Sequence, residues 1–381
     1  MITRKRDIDQ VKKLQSIFPV TVLLGARQTG KTTLAKQLNA QHYFDLENPA
    51  DLTALENPAL TLGKLDGTIV IDEIQRKSDL FPVLRYLIDS NPKQNYLILG
   101  SASRELIRQS SETLAGRIAY HYLYGFNIEE TGIENIDKLW LRGGFPRSYL
   151  AENEEASMIW RDNFITTFLE RDIPQLGISI PAHTLRRFWM MLSNYNGQII
   201  NFSELSRSFG ISDTTARNYI ELLEGTFMIR LLRPYFKNIG KRLVKSPKLY
   251  FNDTGIFHSL LSLNTTNQLI NHNKLGVSWE TFTMFNCIRI LELSDEEIYF
   301  YATHSGAELD LFFVKNGKNW GIEIKYQDAP KKTKSLHACI TDLEIEHLWI
   351  IYPGEKDYIL DTNISVISIK NIDRIKSVIS Q

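Results

Sequence analysis

The chain has 381 residues, of which 43% are hydrophobic and 23% charged, as expected of a globular protein with two or three domains. Its 44 lysines and arginines balance its 44 aspartates and glutamates, which excludes a uniformly basic nucleic-acid coat protein and an acidic disordered chain. Two cysteines are too few for a disulfide scaffold, and no apolar run approaches the length of a membrane span. We therefore expect a reduced, cytoplasmic protein without a signal peptide or membrane contact.

The first third of the chain alternates short apolar runs with helical patterns. Strands are predicted over 19–24, 42–46, 68–71 and 96–99, and helices over 31–39 and 80–88. Continuous apolar strands that alternate with helices indicate an α/β fold in which a parallel sheet is covered on both faces.

A phosphate-binding loop follows the first predicted strand. The Walker A pattern is formed by Gly25, Ala26, Arg27, Gln28, Thr29, Gly30, Lys31 and Thr32, and Thr33 continues it. Glycines let backbone N–H groups face phosphate oxygens, and the following helix presents its positive N-terminus to the same anion. Lys31 would reach the β- and γ-phosphates of a bound ATP, and the Thr32 hydroxyl would ligate Mg²⁺. The alternative is a glycine turn that binds nothing.

Two acids follow the third predicted strand and complete the pattern. The buried run over 68–71 delivers Asp72 and Glu73 to the carboxyl edge of the sheet, where ligands bind in open α/β folds. Asp72 would hold Mg²⁺ through water, and Glu73 would orient or deprotonate the attacking water, which indicates a hydrolase. The alternative is a pair that caps the helix behind it.

Two further residues are candidates for the same reaction. Ser101 ends the run over 96–101, two residues after the apolar stretch 96–99, and could sense the γ-phosphate, or it could cap the next helix. Arg117 could act as an arginine finger on the nucleotide of a neighbouring subunit, or it could form a surface ion pair.

The order of motifs along the chain resembles one family. The pieces are Gly25–Thr33, Phe44–Leu46, Ile71–Gln75, Gly100–Ser103, Leu114–Arg117, Gly143–Pro146, Arg171–Ile173, Lys245–Phe251 and Ser305–Asp310. They resemble the prokaryotic AAA+-type ATPases whose uncharacterised C-terminal domain has a PD-(D/E)XK nuclease-like core. The resemblance implies ATP binding with Lys31, Thr32, Asp72 and Glu73 in the roles above.

Changes in pattern place domain boundaries near 135, 190 and 250. We expect an AAA+-type ATPase core over 1–135, a helical linker or lid over 136–190, a winged helix over 191–250 and a PD-(D/E)XK nuclease-like α/β domain over 251–381.

The middle of the chain has the layout of a helix-turn-helix. One helix is predicted before Gly210 and another over 213–224, and the exposed face of the second would carry Thr214, Thr215, Arg217 and Asn218. These side chains suit phosphates and base edges. An apolar run over 227–232 then leads to basic residues that would form a phosphate-contacting wing, namely Lys237, Lys241, Arg242, Lys245 and Lys248. The alternative is a winged helix that only packs between domains.

The last domain carries acids around a lysine. Asp310 lies in a predicted strand over 309–314, while Glu323 and Lys325 share one face of the next strand. Asp310 and Glu323 would hold Mg²⁺ or Mn²⁺, and Glu280 is the expected helix acid of the same site. Lys325 would position or activate the attacking water, or stabilise the negative charge that develops on the phosphate. Glu308 is a spare carboxylate. The alternative is an inactive nuclease fold kept as a binding platform.

The leading hypothesis is a Mg²⁺-dependent, ATP-hydrolysing AAA+-type protein that acts on nucleic acid, with DNA favoured. If Arg117 completes the nucleotide site of a neighbouring subunit, the protein would be a homo-oligomer. Its last domain would be a metal-dependent nuclease. The rival is a nucleotide-switched binding protein with slow ATP hydrolysis and an inert nuclease fold.

Overall fold

The computed structural model describes residues 2–101, 110–177, 180–236 and 243–380, although the side chain of Ser101 lies outside that description. Chain contacts divide the protein into two compact units, Met1–Gly125 with Gly225–Met228, and Phe126–Glu224 with Ile229–Gln381. The predicted boundaries near 135, 190 and 250 stay predictions.

The first unit contains a five-stranded parallel sheet, as predicted. Its strands are β1 Val20–Gly25, β2 His42–Asp45, β3 Gly67–Asp72, β4 Gln94–Ser101 and β5 Ile118–Tyr122, in the spatial order β2-β3-β4-β1-β5. All neighbours are parallel. The carboxyl ends of β1 and β3 therefore lie at the same edge of the sheet, with β4 between them.

Alternation along the central strands explains why helices cover both faces. Val22 and Leu24 of β1 pack into one buried cluster, whereas Leu23 packs into the other. Each fully buried aliphatic side chain contributes about 1.5–3 kcal/mol, which stabilises both layers. The helices of this unit are Lys5–Ile17, Lys31–Gln37, Pro49–Ala54, Pro58–Leu62 and Leu80–Ser90.

The second unit contains a six-stranded mixed sheet. Its strands are β9 Ile298–Ala302, β10 Glu308–Lys315, β11 Lys318–Ile324, β12 His347–Tyr352, β13 Tyr358–Asp361 and β14 Ile364–Ser368, in the order β13-β14-β12-β11-β10-β9. The strands β9, β10 and β11 pair antiparallel, and β12 lies parallel to both β11 and β14. The strand predicted over 309–314 and the following strand predicted to carry Glu323 are both present, as β10 and β11.

A smaller antiparallel sheet lies earlier in the same unit. It consists of β6 Gln198–Ile199, β7 Ile229–Leu232 and β8 Lys248–Phe251, with β8 in the centre. The helices of the unit are Ile128–Thr131, Ile136–Arg142, Pro146–Tyr149, Glu154–Thr167, Ile173–Gln175, Ala182–Ser193, Phe202–Phe209, Asp213–Gly225, Thr254–Leu260, Thr266–Ile270, Leu275–Ile290, Lys334–Leu343 and Ile372–Ile379. A π-helical turn over Phe168–Asp172 joins two of them.

The predicted helix-turn-helix segments form helices Phe202–Phe209 and Asp213–Gly225. Gly210 ends the first helix with a φ of 72°, a left-handed conformation that glycine adopts without steric cost. Asp213 accepts hydrogen bonds from Ser203 and Ser206, which ties the start of the second helix to the first. The winged-helix assignment stays a prediction.

Within the described residues, no helix has the length and apolar character that crossing a bilayer requires. Cys287 and Cys339 are both buried as free thiols.

Candidate functional sites

The phosphate loop leaves β1 at Gly25 and enters the helix that begins at Lys31. Gly25 is packed so closely that an added Cβ would lie 2.2 Å from the Leu123 carbonyl oxygen, and Gly30 has a φ of 97°. The buried Lys31 ammonium donates to the Gly25 and Ala26 carbonyl oxygens at 3.0 and 2.9 Å. The loop therefore holds its lysine at the helix N-terminus, where an anion is favoured.

The other predicted loop residues surround this lysine. Thr29 is buried and donates to the Ala26 carbonyl at 2.9 Å, which closes the turn. Gln28 has a φ of 65° and is exposed, as is Thr33. The Arg27 guanidinium lies 3.9 Å from the Glu47 carboxylate.

Asp72 meets Thr32 across the edge of the sheet. The Thr32 hydroxyl donates to Asp72 Oδ2 at 2.8 Å, so the two predicted magnesium ligands are in direct contact. Tyr43, the second residue of β2, donates to the same carboxylate oxygen at 2.5 Å. Burial and the Asp72 carboxylate together raise the pKa of the Tyr43 phenol, which keeps it a hydrogen-bond donor. Sequence reasoning missed Tyr43, whose only signal is its place in an edge strand beside β3.

Glu73 follows Asp72 in a strained backbone conformation. Its φ of 57° and ψ of 43° are left-handed, a conformation that costs non-glycine residues energy and that clusters at functional sites. Burial raises the pKa of its carboxyl group, and Lys31 opposes that effect. The Gln75 side-chain amide donates a hydrogen bond to the Glu73 carboxylate. The carboxyl is therefore held by a hydrogen bond, and its raised pKa makes it a stronger base than an exposed glutamate.

A network of buried charged side chains contacts the backbone of the phosphate loop. Arg4 donates to the carbonyl oxygens of Thr29 and Tyr124 at 3.2 and 2.8 Å and pairs with Asp7 at 3.1 Å. Asp7 in turn contacts His121 Nε2 at 2.8 Å. Sequence reasoning missed this role of Arg4, because a single arginine before a helix carries no motif.

Ser101 and Arg117 are the two remaining candidate residues of the first unit. Ser101 ends β4 opposite Gly25, and its side chain lies outside the described part of the chain. Arg117 forms an exposed ion pair with Asp89, with nitrogen–oxygen distances of 2.8 and 3.1 Å. This contact is the ion-pair alternative; the arginine-finger role stays a prediction.

The predicted acids of the second unit converge around a buried lysine. Lys248 Nζ lies 3.7 Å from Asp310 Oδ1 and 3.9 Å from Glu280 Oε1, and it contacts Glu308 Oε1 at 2.5 Å. The Lys248 side chain is only 3% exposed. Its assignment to a basic wing was wrong: Lys248 begins β8, between apolar neighbours that bury the strand on both faces.

Asp310 and Glu323 lie on the paired strands β10 and β11, as predicted. Asp310 Oδ2 accepts the Ile324 N–H at 2.8 Å, and Lys325 Nζ lies 2.6 Å from Glu323 Oε1. Glu323 Oε2 is buried without a hydrogen-bond partner. One oxygen of this carboxylate is therefore left for a further donor or cation.

Burial controls the protonation of the acid cluster. Burial, followed by the Asp310 charge, raises the pKa of both Glu280 and Glu323. Burial lowers the pKa of Lys248, but the surrounding carboxylates outweigh it and the net shift is upward. Burial also lowers the pKa of Lys325, but the charge of Glu323 and its neighbours outweighs burial and the net shift is upward. Within the described residues, no group of three or more His, Cys, Asp or Glu side chains is arranged to hold a metal ion.

The candidate nucleic-acid contacts lie on the helix Asp213–Gly225. Thr214, Arg217 and Asn218 are exposed, while Thr215 is half-buried and its hydroxyl contacts the Ser212 hydroxyl at 2.8 Å. The Arg217 guanidinium lies over the Phe202 ring, 3.9 Å from its centroid.

Lys245 is the one predicted wing residue, other than Lys248, that the structure describes, and it is exposed. Lys237, Lys241 and Arg242 lie outside the described residues. The preceding Val244 N–H donates to the Ala302 carbonyl of β9 at 3.1 Å.

Three protein families match the chain in succession. Residues 18–132 match an AAA domain, residues 133–267 a domain of unknown function (DUF8612), and residues 275–372 a second domain of unknown function (DUF4143).

Two relatives match nearly the full chain. Uncharacterised proteins of Mycobacterium tuberculosis and Mycobacterium bovis are each 43% identical to it over 371 residues, which cover 96% of this chain and 84% of each relative.

Solved structures match more distantly. A Walker-type ATPase of Pyrococcus abyssi has a TM-score of 0.48 at 14% identity and covers 68% of this chain and 96% of its own. A signal-transduction ATPase of Pyrococcus horikoshii with a tetratricopeptide-repeat sensor has a TM-score of 0.25 at 13% identity and covers 77% of this chain and 45% of its own.

Proposed function

The chain belongs to the family of these mycobacterial proteins and carries an AAA-type ATPase domain, and from this premise we propose that it couples Mg²⁺-dependent ATP hydrolysis to nucleic-acid binding. The observation that supports the hydrolytic part most strongly is the edge where Lys31, the Thr32–Asp72 contact and Glu73 meet. The helix-turn-helix surface supports the nucleic-acid part.

Magnesium fits the oxygen donors at this edge. Thr32 and Asp72 supply a hydroxyl and a carboxylate beside the phosphate loop, and such hard oxygen ligands suit Mg²⁺. When bound, the ion would neutralise charge on the β- and γ-phosphates. Tyr43 would keep the Asp72 carboxylate oriented by its hydrogen bond.

The protein groups then divide the reaction between them. Lys31 and the loop N–H groups bind the phosphates and stabilise negative charge that develops on them. Glu73 accepts a proton from the water whose oxygen attacks the γ-phosphorus, and the bond to the ADP oxygen breaks. The products are ADP and inorganic phosphate.

Nucleic acid is proposed to bind along the helix Asp213–Gly225. Arg217, Thr214 and Asn218 are exposed on it and can donate hydrogen bonds to phosphates and base edges. DNA is favoured, because a helix of this layout fits the major groove of B-form duplexes.

The first test measures ATP turnover with and without duplex DNA at low salt. We expect DNA to stimulate turnover in the wild type, and Arg217→Ala to weaken DNA binding and lower the salt slope by about 1. The matched control is Arg374→Ala, since Arg374 is an exposed arginine paired with Asp357 outside that helix. Unchanged turnover and no binding of DNA or RNA would favour the rival, a nucleotide-switched binding protein with slow hydrolysis.

Assembly into a homo-oligomer is proposed from Arg117. If Arg117 leaves Asp89 to reach the nucleotide of a neighbouring subunit, Arg117→Ala is expected to lower ATP turnover roughly 10³-fold and to leave ATP binding intact. Asp89→Ala removes the same ion pair and serves as the control. Equal, small effects of both variants on turnover would show that the pair is only structural.

A metal-dependent nuclease in the second unit is the second candidate function. The observation that favours it is a cluster of four side chains. Asp310 and Glu323 lie on the paired strands β10 and β11, and Glu280 and Lys325 lie close to them. Asp310 and Glu323 would hold Mg²⁺ or Mn²⁺, which would supply a Lewis acid. Cleavage of DNA by the wild type that Asp310→Ala abolishes would support it; no cleavage would leave the fold as a binding platform.

A further inference from the structure

The acid cluster of the second unit already contains a cation. Lys248 enters from β8, Glu280 from the helix Leu275–Ile290, and Glu308 and Asp310 from β10. The lysine ammonium lies within 4 Å of oxygens of all three carboxylates, at 2.5, 3.7 and 3.9 Å. Two separate elements therefore bring three carboxylates to the one positive charge that β8 supplies.

Burial makes this arrangement costly unless the charges compensate each other. The side chains of Lys248 and Asp310 are 3% and 10% exposed, and that of Glu280 is 18% exposed. An isolated ammonium or carboxylate at such depth would be strongly destabilised, so each depends on the other. Tyr250, two residues after Lys248 and on the same side of β8, donates to Glu280 Oε1 at 2.5 Å. The hydroxyl and the ammonium thus share one carboxylate.

The carboxylates alone would suit a divalent cation, but the ammonium among them does not. Asp310 and Glu280 offer hard oxygens from two directions, and the buried Glu323 Oε2 has no hydrogen-bond partner. A divalent ion bound to Asp310 and Glu280 would lie within a few ångströms of Lys248 Nζ. Two like charges at that separation in a buried site repel strongly.

We propose that Lys248 is a built-in cation that occupies the acid cluster and competes with divalent metal ions for Asp310 and Glu280. The inference rests on the second candidate function for its site and concerns how that site is controlled. Metal enters only when the ammonium is withdrawn, so the resting protein binds Mn²⁺ weakly.

The test measures Mn²⁺ binding to the full chain without nucleotide, from the electron paramagnetic resonance signal of free Mn²⁺. We expect Lys248→Met to bind one additional Mn²⁺ at least about tenfold more tightly than the wild type, and Lys248→Met with Asp310→Asn to lose that gain. Lys318→Met is the matched control, since Lys318 pairs with a single carboxylate, Glu346, at 3.7 Å. Every variant keeps Asp72, so differences between them belong to the cluster.

Equal Mn²⁺ affinity in the wild type and Lys248→Met would overturn the proposal. So would micromolar Mn²⁺ binding by the wild type that Asp310→Asn abolishes. If Lys248→Met or Lys248→Gln is destabilised, Mn²⁺ is expected to replace the lost charge and raise the melting temperature of the variant, and no rise would count against the proposal. The experiment measures Mn²⁺ binding, so its outcome does not depend on whether the protein cleaves DNA or hydrolyses ATP.

Discussion

Replacing Glu73 with glutamine is expected to slow ATP turnover by about 10²–10⁴-fold while ATP binding is retained. Glutamine has the same shape but cannot accept a proton from the attacking water. Lys31 and the loop N–H groups, which bind the phosphates, are untouched by the change. The backbone at this position stays left-handed, and glutamine meets no greater strain there than glutamate.

The measurement pairs steady-state phosphate release with equilibrium binding of a fluorescent ATP analogue. Glu56→Gln, an exposed acid of the same unit, is the control and should match the wild type in both. The wild-type rate should also fall as the pH drops through the raised pKa of Glu73, and Glu73→Gln should lose this acid limb. Wild-type turnover by Glu73→Gln would remove Glu73 from the role of base.

The parallel sheet of the first unit could be predicted because its strands are continuous apolar runs. In the run that ends at Asp72, the four last residues are all buried, so no alternation is visible and both faces must be covered. The Walker A spacing then fixes where Lys31 and Thr32 lie relative to β1, the strand that leads into the phosphate loop. These positions follow from local sequence.

The supporting contacts could not be predicted, because they join residues distant in sequence. Arg4 reaches the carbonyl of Tyr124, and Tyr43 reaches Asp72 from the neighbouring strand. Neither contact leaves a local pattern. Which strands are neighbours is decided by the topology of the whole sheet.

Lys248 shows how a local pattern misleads. It follows a run of basic residues, which predicts a solvated loop, yet the next three residues, Leu249–Phe251, are fully buried. Because β8 is the central strand of its sheet, its first residue is buried as well. The neighbouring carboxylates compensate the charge of the buried lysine. The acids around it were visible from sequence as separate candidates, but their common partner was not.

His258 is expected to make the second unit less stable in acid. The imidazole is fully buried, with Nδ1 3.0 Å from the Leu141 carbonyl oxygen and Nε2 2.6 Å from the Ser278 hydroxyl. The carbonyl can only accept, so we assign the proton to Nδ1, and Nε2 accepts from Ser278. Burial lowers the pKa of His258 from 6.5 to about 3, and Arg161 contributes in the same direction. The neutral ring is therefore the folded form.

The sign of the effect follows from proton binding. Between pH 6.5 and about 3 the unfolded chain binds a proton at His258 that the folded chain does not, so stability falls as the pH falls. The loss from pH 8 to pH 5 is about 2 kcal/mol in the free energy of unfolding. Glu280 and Glu323, whose pKa values are raised in the folded state, act in the opposite direction, because folding favours their protonated forms as the pH falls. The total pH profile alone therefore cannot isolate the histidine.

A comparison of the wild type with His258→Gln separates the two effects, because both proteins keep the acid cluster. Glutamine does not titrate, so the stability advantage of the wild type over the variant is expected to shrink by about 2 kcal/mol between pH 8 and pH 5. Urea unfolding followed by tryptophan fluorescence measures this in the second unit, which contains all 6 tryptophans of the chain. His304→Gln, at an exposed position, controls for the loss of an imidazole. Parallel profiles for the wild type and His258→Gln would mean that the buried ring accepts a proton in the folded state as readily as in the unfolded chain.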